Sequence, residues 1–146
     1  MPSVKLMTNV AFHAQALKRV RRLLQVKCGV RNLNDLGLFQ VADFVMADGR
    51  KVAVRSAHWG ERKQVVRAGG KAYNYSYLRL IFNCHEHGKP PRRPPHFWIL
   101  LGERKGEEWI IPHRALHGSK TVQIVATKKP HNQWMRFRGA WELLTA

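Results

Sequence analysis

The strongest constraint on the fold lies in residues 41–60, VADFVMADGRKVAVRSAHWG. Two short apolar runs flank Asp48-Gly49, and an Asp-Gly pair in that setting signals a tight β-hairpin, because both central residues can take positive φ. The first run, residues 41–47, carries a single acid, Asp43. The second, residues 51–57, alternates: Val52 and Val54 point to one face, Ala53 and Arg55 to the other. Such a hairpin is expected to gather Asp43, Ala53 and Arg55 on one side.

Length and composition set the scale. The chain has 146 residues, 45% of them hydrophobic, with five Trp and six Phe. That suits one domain, residues 1–146, with its own core rather than a disordered chain. The charge is lopsided, with 26 Lys and Arg against nine Asp and Glu for a formal net charge of +17. Residues 1–34 hold seven Lys or Arg and no acid. A chain of this kind seeks a polyanion, and nucleic acid is the commonest one. An anionic membrane surface is the main rival. Cys28 and Cys84 are too few for a disulfide framework and fit a reduced cytoplasm. The N-terminus shows no signal-peptide pattern, and no apolar run reaches the ~20 residues of a membrane helix.

In chain order, a helix capped by Thr8 or Asn9 is expected to run to Lys27, with Ala14, Leu17, Val20 and Leu24 as its apolar stripe and Gly29 as its stop. Lys18, Arg19, Arg21 and Arg22 flank that stripe. Residues 30–37 are turn-rich, and the hairpin follows. Residues 58–71 read as a basic loop with a bent strand at 64–67, and residues 73–83 as an aromatic-rich strand. The proline-rich segment near residue 90 is a stiff loop. HFWILL, residues 96–101, suits a strand covered on both faces. Further strands are expected at 108–111 and 121–126, with one helical turn at 113–117. A last helix capped by Asn132 would carry Trp134, Phe137, Trp141 and Leu144 on one stripe. The fold class is α+β, a central mixed sheet flanked by an N-terminal and a C-terminal helix.

This order, together with ADFVMADG, VAVRSA, HFWILLG, EEWIIPH and RGAWELL, resembles the PD-(D/E)XK nuclease superfamily of restriction-endonuclease-like fold. The likeness spans about residues 9–144, and its small homing endonucleases and resolvases are the nearest in pattern. The resemblance implies a DNA-facing groove and a site in which an Asp, a second acid and a Lys work with Mg²⁺ on a phosphodiester. Carried over by position, the Asp is Asp43, the second acid falls on Ala53 and the Lys on Arg55. Ala53 offers no oxygen to a metal, and Arg55 keeps its proton. Members of the family also place a Glu on the first helix; here Gln15 is the nearest polar stand-in. The catalytic motif is therefore degenerate, and no metal or cofactor is expected. If the chain is an active Mg²⁺-dependent endonuclease instead, Asp43 holds the metal, and Glu61 and Lys63, a literal Glu-x-Lys, supply the rest.

The expected partner is nucleic acid, in particular duplex or branched DNA, met by Lys18, Arg19 and Arg22 on the helix, Arg62, Lys63, Arg67 and Lys71 on one loop, and Arg92 and Arg93 on another. Lys89, Lys128 and Lys129 add to these loops. Trp59, Tyr73 and Tyr75 either stack on an unpaired base or pack in the core; Trp98, Trp109, Trp134 and Trp141 belong to the core. A homodimer fits the family, no membrane partner is expected, and a basic protein-interaction domain is the reading from another class. Cys84 and His87, with or without His58, have the residue types of a zinc site but lack a second Cys-rich half. Structural roles suit them better.

Overall fold

The computed structural model describes residues 4–30, 33–35, 42–85, 88–126 and 133–145. Helix α1 spans Val4–Cys28, and eight strands follow: β1 (Leu33–Asp35), β2 (Phe44–Met46), β3 (Lys51–Ser56), β4 (Gly60–Ala68), β5 (Lys71–Asn83), β6 (Phe97–Leu101), β7 (Glu108–Pro112) and β8 (Thr121–Val125). They form two sheets. The larger runs β1-β2-β3-β6-β7 and the smaller β4-β5-β8. Every pairing is antiparallel except β3 with β6, which is parallel. The molecule is thus α+β and mixed, as expected, but with two sheets in place of one.

The larger sheet is the middle of three layers. On one face Phe44, Met46, Val52, Val54, Ile99, Leu101 and Ile110 pack against Ala16, Val20 and Leu24 of α1. On the other, Ala53, Trp98, Leu100, Trp109 and Ile111 pack against Leu80, Phe82, Val122 and Ile124 of the smaller sheet. A sheet covered on both sides has no wet face, which is why β6 is apolar throughout, as HFWILL suggests. Each fully buried side chain of this kind contributes about 1.5–3 kcal/mol from burial.

Helix α1 packs with a slightly different phase from that expected: Ala14 is exposed, and Ala16 takes its place beside Val20 and Leu24. Gly29 does end the helix. Its φ of +65°, open to glycine at little cost, turns the chain so that the N–H groups of Gly29 and Val30 donate to the carbonyls of Gln25 and Leu24.

The β2–β3 hairpin forms around Asp48-Gly49, though by a three-residue turn. Met46 N–H donates to the Arg50 carbonyl and Gly49 N–H to the Met46 carbonyl, and only Gly49 has positive φ, +89°. That is a type I turn closed by a left-handed glycine. Asp48 accepts hydrogen bonds from the N–H and Nε of Arg50 (3.0 and 2.6 Å) and is held below the usual carboxylate range, chiefly by the backbone bond. Arg50 also donates to the carbonyls of Leu143 and Leu144, fastening the chain's last turn to this hairpin.

Two expectations fail here. Residues 58–71 are not a loop: β4 and β5 pair over their full facing length, from Gly60 with Arg79 to Ala68 with Lys71. The C-terminal stripe is not one helix either. Two 3-10 turns, Met135–Phe137 and Trp141–Leu144, are separated by Gly139 at φ +63°. Arg138 bridges to Trp109, and Gly139 N–H donates to the Glu108 carbonyl, so this segment covers the β7 edge of the larger sheet. Trp134 and Phe137 then sink into one core layer, Trp141 and Leu144 into the other. A single helical stripe cannot reach both. The caps and basic residues expected at Asn132, Lys128 and Lys129 lie outside the described residues.

Candidate functional site

Asp43 sits just before β2, where the ladder with β3 ends. Its N–H donates to the Val52 carbonyl at 2.9 Å, and its Oδ2 accepts the Val54 N–H at 2.6 Å. The carboxylate therefore takes over the acceptor role that the next ladder residue would have filled. Oδ1 lies 3.1 Å from His13 Nε2, across from α1. Arg55 Nη1 stands 3.6 Å from Oδ2. The structure does bring Asp43 and Arg55 together, and between them on β3 lies Ala53, wholly buried in the layer below.

Arg55 is pinned from several directions. Its Nε donates to the Asn83 carbonyl at 3.2 Å, its Nη1 to the Val54 carbonyl at 2.8 Å, and its guanidinium lies over the Trp98 ring at 5.1 Å. A delocalised planar cation suits this mixed apolar and carbonyl setting better than a lysine ammonium. Through Asn83 it ties the Asp43 site to the end of β5.

His13 is the residue that sequence reasoning missed. Gln15, the expected stand-in on the helix, is exposed. The signal was present in the helical phase: His13 precedes Ala16, Leu17, Val20 and Leu24 at three- and four-residue spacing, on the edge of the inward face.

These residues do not fit a Mg²⁺ site. A hard dication wants several carboxylate or carbonyl oxygens. Asp43 offers one carboxylate whose oxygens already face an N–H, a guanidinium and an imidazole. Among the described residues no group of three or more His, Cys, Asp or Glu is placed to hold a metal ion. The relocated pair, Glu61 and Lys63, lies on β4 in the other sheet, exposed, with Glu61 accepting a hydrogen bond from Ser76 across the hairpin. Among the described residues nothing joins it to Asp43.

The basic residues divide into two sets. Arg62, Lys63, Arg67 and Lys71 are exposed on the β4–β5 hairpin, and Lys18, Arg22, Arg92 and Arg93 are exposed elsewhere. Arg19 departs from expectation. It donates to the carbonyls of Gly102 (2.9 Å) and Arg104 (3.0 Å) and lies 3.6 Å from the buried carboxylate of Glu108. Its donors serve the fold by locking α1 onto the β6–β7 turn. That turn is tight: a Cβ on Gly102 would stand 2.8 Å from that of Glu107.

Trp59 packs against the core, its indole N–H donating to Glu107 at 2.8 Å, whereas Tyr73 and Tyr75 are about half exposed (46% and 54%). The other four tryptophans are buried, as expected. Burial pushes the Cys84 thiol up to about 12 despite the pull of Arg55, so at neutral pH it is neither a thiolate nucleophile nor a ready ligand. His58 stacks on Phe12 and meets Glu103 at 2.7 Å, while His87 lies outside the described residues. No described helix is long and apolar enough to cross a membrane.

No protein-family model and no curated protein sequence matches the chain. Among solved structures, its fold is similar to that of a bacterial homing endonuclease, I-Ssp6803I, with a TM-score of 0.57 and 20% identity, covering 99% of this chain and 93% of that one. At that identity the likeness is one of fold, and the chain shares a nuclease's fold over nearly its whole length.

Proposed function

We propose that the chain is a DNA-binding protein on a PD-(D/E)XK-type, restriction-endonuclease-like scaffold whose metal-holding acid set is incomplete. The observation that carries this reading is the environment of Asp43. The place of the second acid is a buried alanine, and the carboxylate is met by a backbone N–H, Arg55 and His13. Two cationic or hydrogen-bonding side chains there stabilise the lone carboxylate and add attraction for a phosphate, while drawing no dication. The net charge of +17 supplies the sequence-independent part of binding. Phosphate contacts of this kind release counterions, so affinity falls steeply with salt, by orders of magnitude over a few-fold rise. The homing endonuclease of similar fold supports DNA as the polyanion.

The test is cleavage and binding on the same samples. Protein is incubated with supercoiled plasmid and with a branched duplex in Mg²⁺, Mn²⁺ or EDTA, then split between a nicking assay and a mobility-shift gel. Salt-sensitive shift without nicking in either metal is the expected result. Metal-dependent nicking that disappears in Asp43→Ala would contradict it, and would mean that Glu61, Lys63 or another acid completes the site.

A further inference from the structure

The β4–β5 hairpin is unlike the rest of the molecule. All nine residues of β4 are exposed, and β5 is exposed or half-buried until Leu80. Among the described residues, β8 pairs with β5 from Arg79 to Asn83. Residues 71–78 and their partners on β4 therefore form a two-stranded ribbon that, among the described residues, extends about 25 Å past the last pairing with β8. An unsupported ribbon has little to hold it but its own ladder. Yet it carries large side chains where a solvent-exposed ribbon needs none: Val65, Tyr73 and Tyr75 are each about half exposed. The major groove of B-form DNA, about 12 Å wide, admits a two-stranded β-ribbon.

The register separates its two faces. One presents Tyr73, Tyr75 and Tyr77 opposite Val66, Gln64 and Arg62. The other presents Lys63 opposite Ser76, Val65 opposite Asn74, and Arg67 opposite Ala72. This second face continues along β5 into Leu80 and Phe82, so it looks toward the side on which the body of the protein lies. Ala72 and Ser76 are small and allow close approach, the Ser76 hydroxyl donating to Glu61 at the base of this face, and between them stand groups that match base edges. Lys63 and Arg67 match guanine O6 and N7, Asn74 matches adenine N6 and N7, and Val65 suits a thymine methyl. The opposite face also carries Arg62 and Gln64, but each sits across from a tyrosine, Tyr77 and Tyr75, whose bulk holds that face off a groove floor. On an edge strand, charge alone would serve to block edge-to-edge pairing. That role does not call for an Asn and small residues aligned between the cations.

We propose that the β4–β5 ribbon enters the major groove of duplex DNA and reads base edges with the Lys63–Val65–Arg67–Asn74 face. This rests on the DNA-binding reading above and names the surface and the groove it uses.

The experiment measures binding to a duplex DNA of about three helical turns and to duplex RNA of the same sequence. The A-form major groove is too deep and narrow for side chains to read. Three proteins are compared: wild type, Lys63→Ala/Arg67→Ala/Asn74→Ala, and Lys89→Ala/Arg92→Ala. The last removes the same charge from an exposed loop. All substituted side chains are exposed, and a thermal melt by circular dichroism verifies that each protein is folded. Wild type is expected to favour DNA over RNA by about 100-fold, and the ribbon variant to lose about that factor on DNA while changing little on RNA. The loop variant should weaken both duplexes alike. A ribbon variant that loses no more DNA affinity than the loop variant, or that weakens DNA and RNA equally, overturns the groove-reading role and leaves DNA binding through phosphates intact. Failure of wild type to shift either duplex at low salt overturns the DNA-binding reading itself.

Discussion

The molecule contains two hairpins with opposite fates. The β2–β3 hairpin is sandwiched between α1 and the smaller sheet, with Val52, Ala53 and Val54 wholly buried. The β4–β5 hairpin has water on both faces along most of its length. In the first, the strand side chains are fixed by what they pack against, and Asp43 is held by the Val54 N–H, the Arg55 guanidinium and the His13 ring. In the second, the residues before Leu80 answer to no core. Their identity reflects chain-chain pairing along the ribbon and whatever the ribbon touches outside the molecule. The difference teaches that a strand's partner need not be inside the protein.

Substitutions sharpen this contrast. The largest effect is expected in the buried half: Trp98→Ala removes a fully buried indole that also supports Arg55, and should cost about 3–5 kcal/mol in urea unfolding. Next comes Asp43→Ala, which leaves the Val54 N–H without its acceptor and should cost about 1–3 kcal/mol. Asp43→Asn, whose amide oxygen can still accept that N–H, should cost less. On the proposed function neither change should weaken DNA binding, since each removes a negative charge; a clear loss of affinity would show that Asp43 touches DNA through a metal or a base. In the exposed half, Tyr73→Ser should shift stability by no more than about 0.5 kcal/mol, and a larger loss would mean that the ribbon packs on the body after all.

The smallest effect is a pH dependence. Trp98 Nε1–H donates to His113 Nδ1 at 3.0 Å, which needs a neutral ring, and burial lowers the His113 pKa below its ordinary 6.5. The unfolded chain then binds the proton first. This contribution is fully present above the unfolded pKa and is lost as pH falls below about 6.5 toward the lower folded value. His113→Gln should flatten that part of the stability profile, and an unchanged slope between pH 7 and 5 would contradict the assignment.

What could be read from the sequence follows the same division. The alternation of Val52, Ala53, Val54 and Arg55 and the apolar run FWILL announced their strands because burial imposes a period or its absence. The meeting of Asp43 and Arg55 was legible for the same reason, through their place on that hairpin. GERKQVVRA reads as a basic loop with a short bent strand at 64–67 because a ribbon exposed on both faces carries no apolar period, and Gly69-Gly70 at its tip reads as one more break. The C-terminal aromatics had a helical spacing but pack on two layers around Gly139, a tertiary demand that local pattern does not encode. Arg19 looked like its basic neighbours, and only the arrival of the β6–β7 turn beside α1 shows that its charge serves the fold. His13 needed the correct helical phase and knowledge that Asp43 lay opposite.

The central claim is that one hairpin holds the molecule together and the other holds DNA. It is tested most directly by trimming the ribbon. Residues 63–76 are replaced with Asn-Gly, a turn that closes a hairpin directly between Arg62 and Tyr77, whose pairing the structure already provides. The account predicts that the trimmed protein keeps its urea unfolding midpoint and loses binding to duplex DNA on a mobility-shift gel. A trimmed protein that unfolds as before and still binds DNA with undiminished affinity would contradict it.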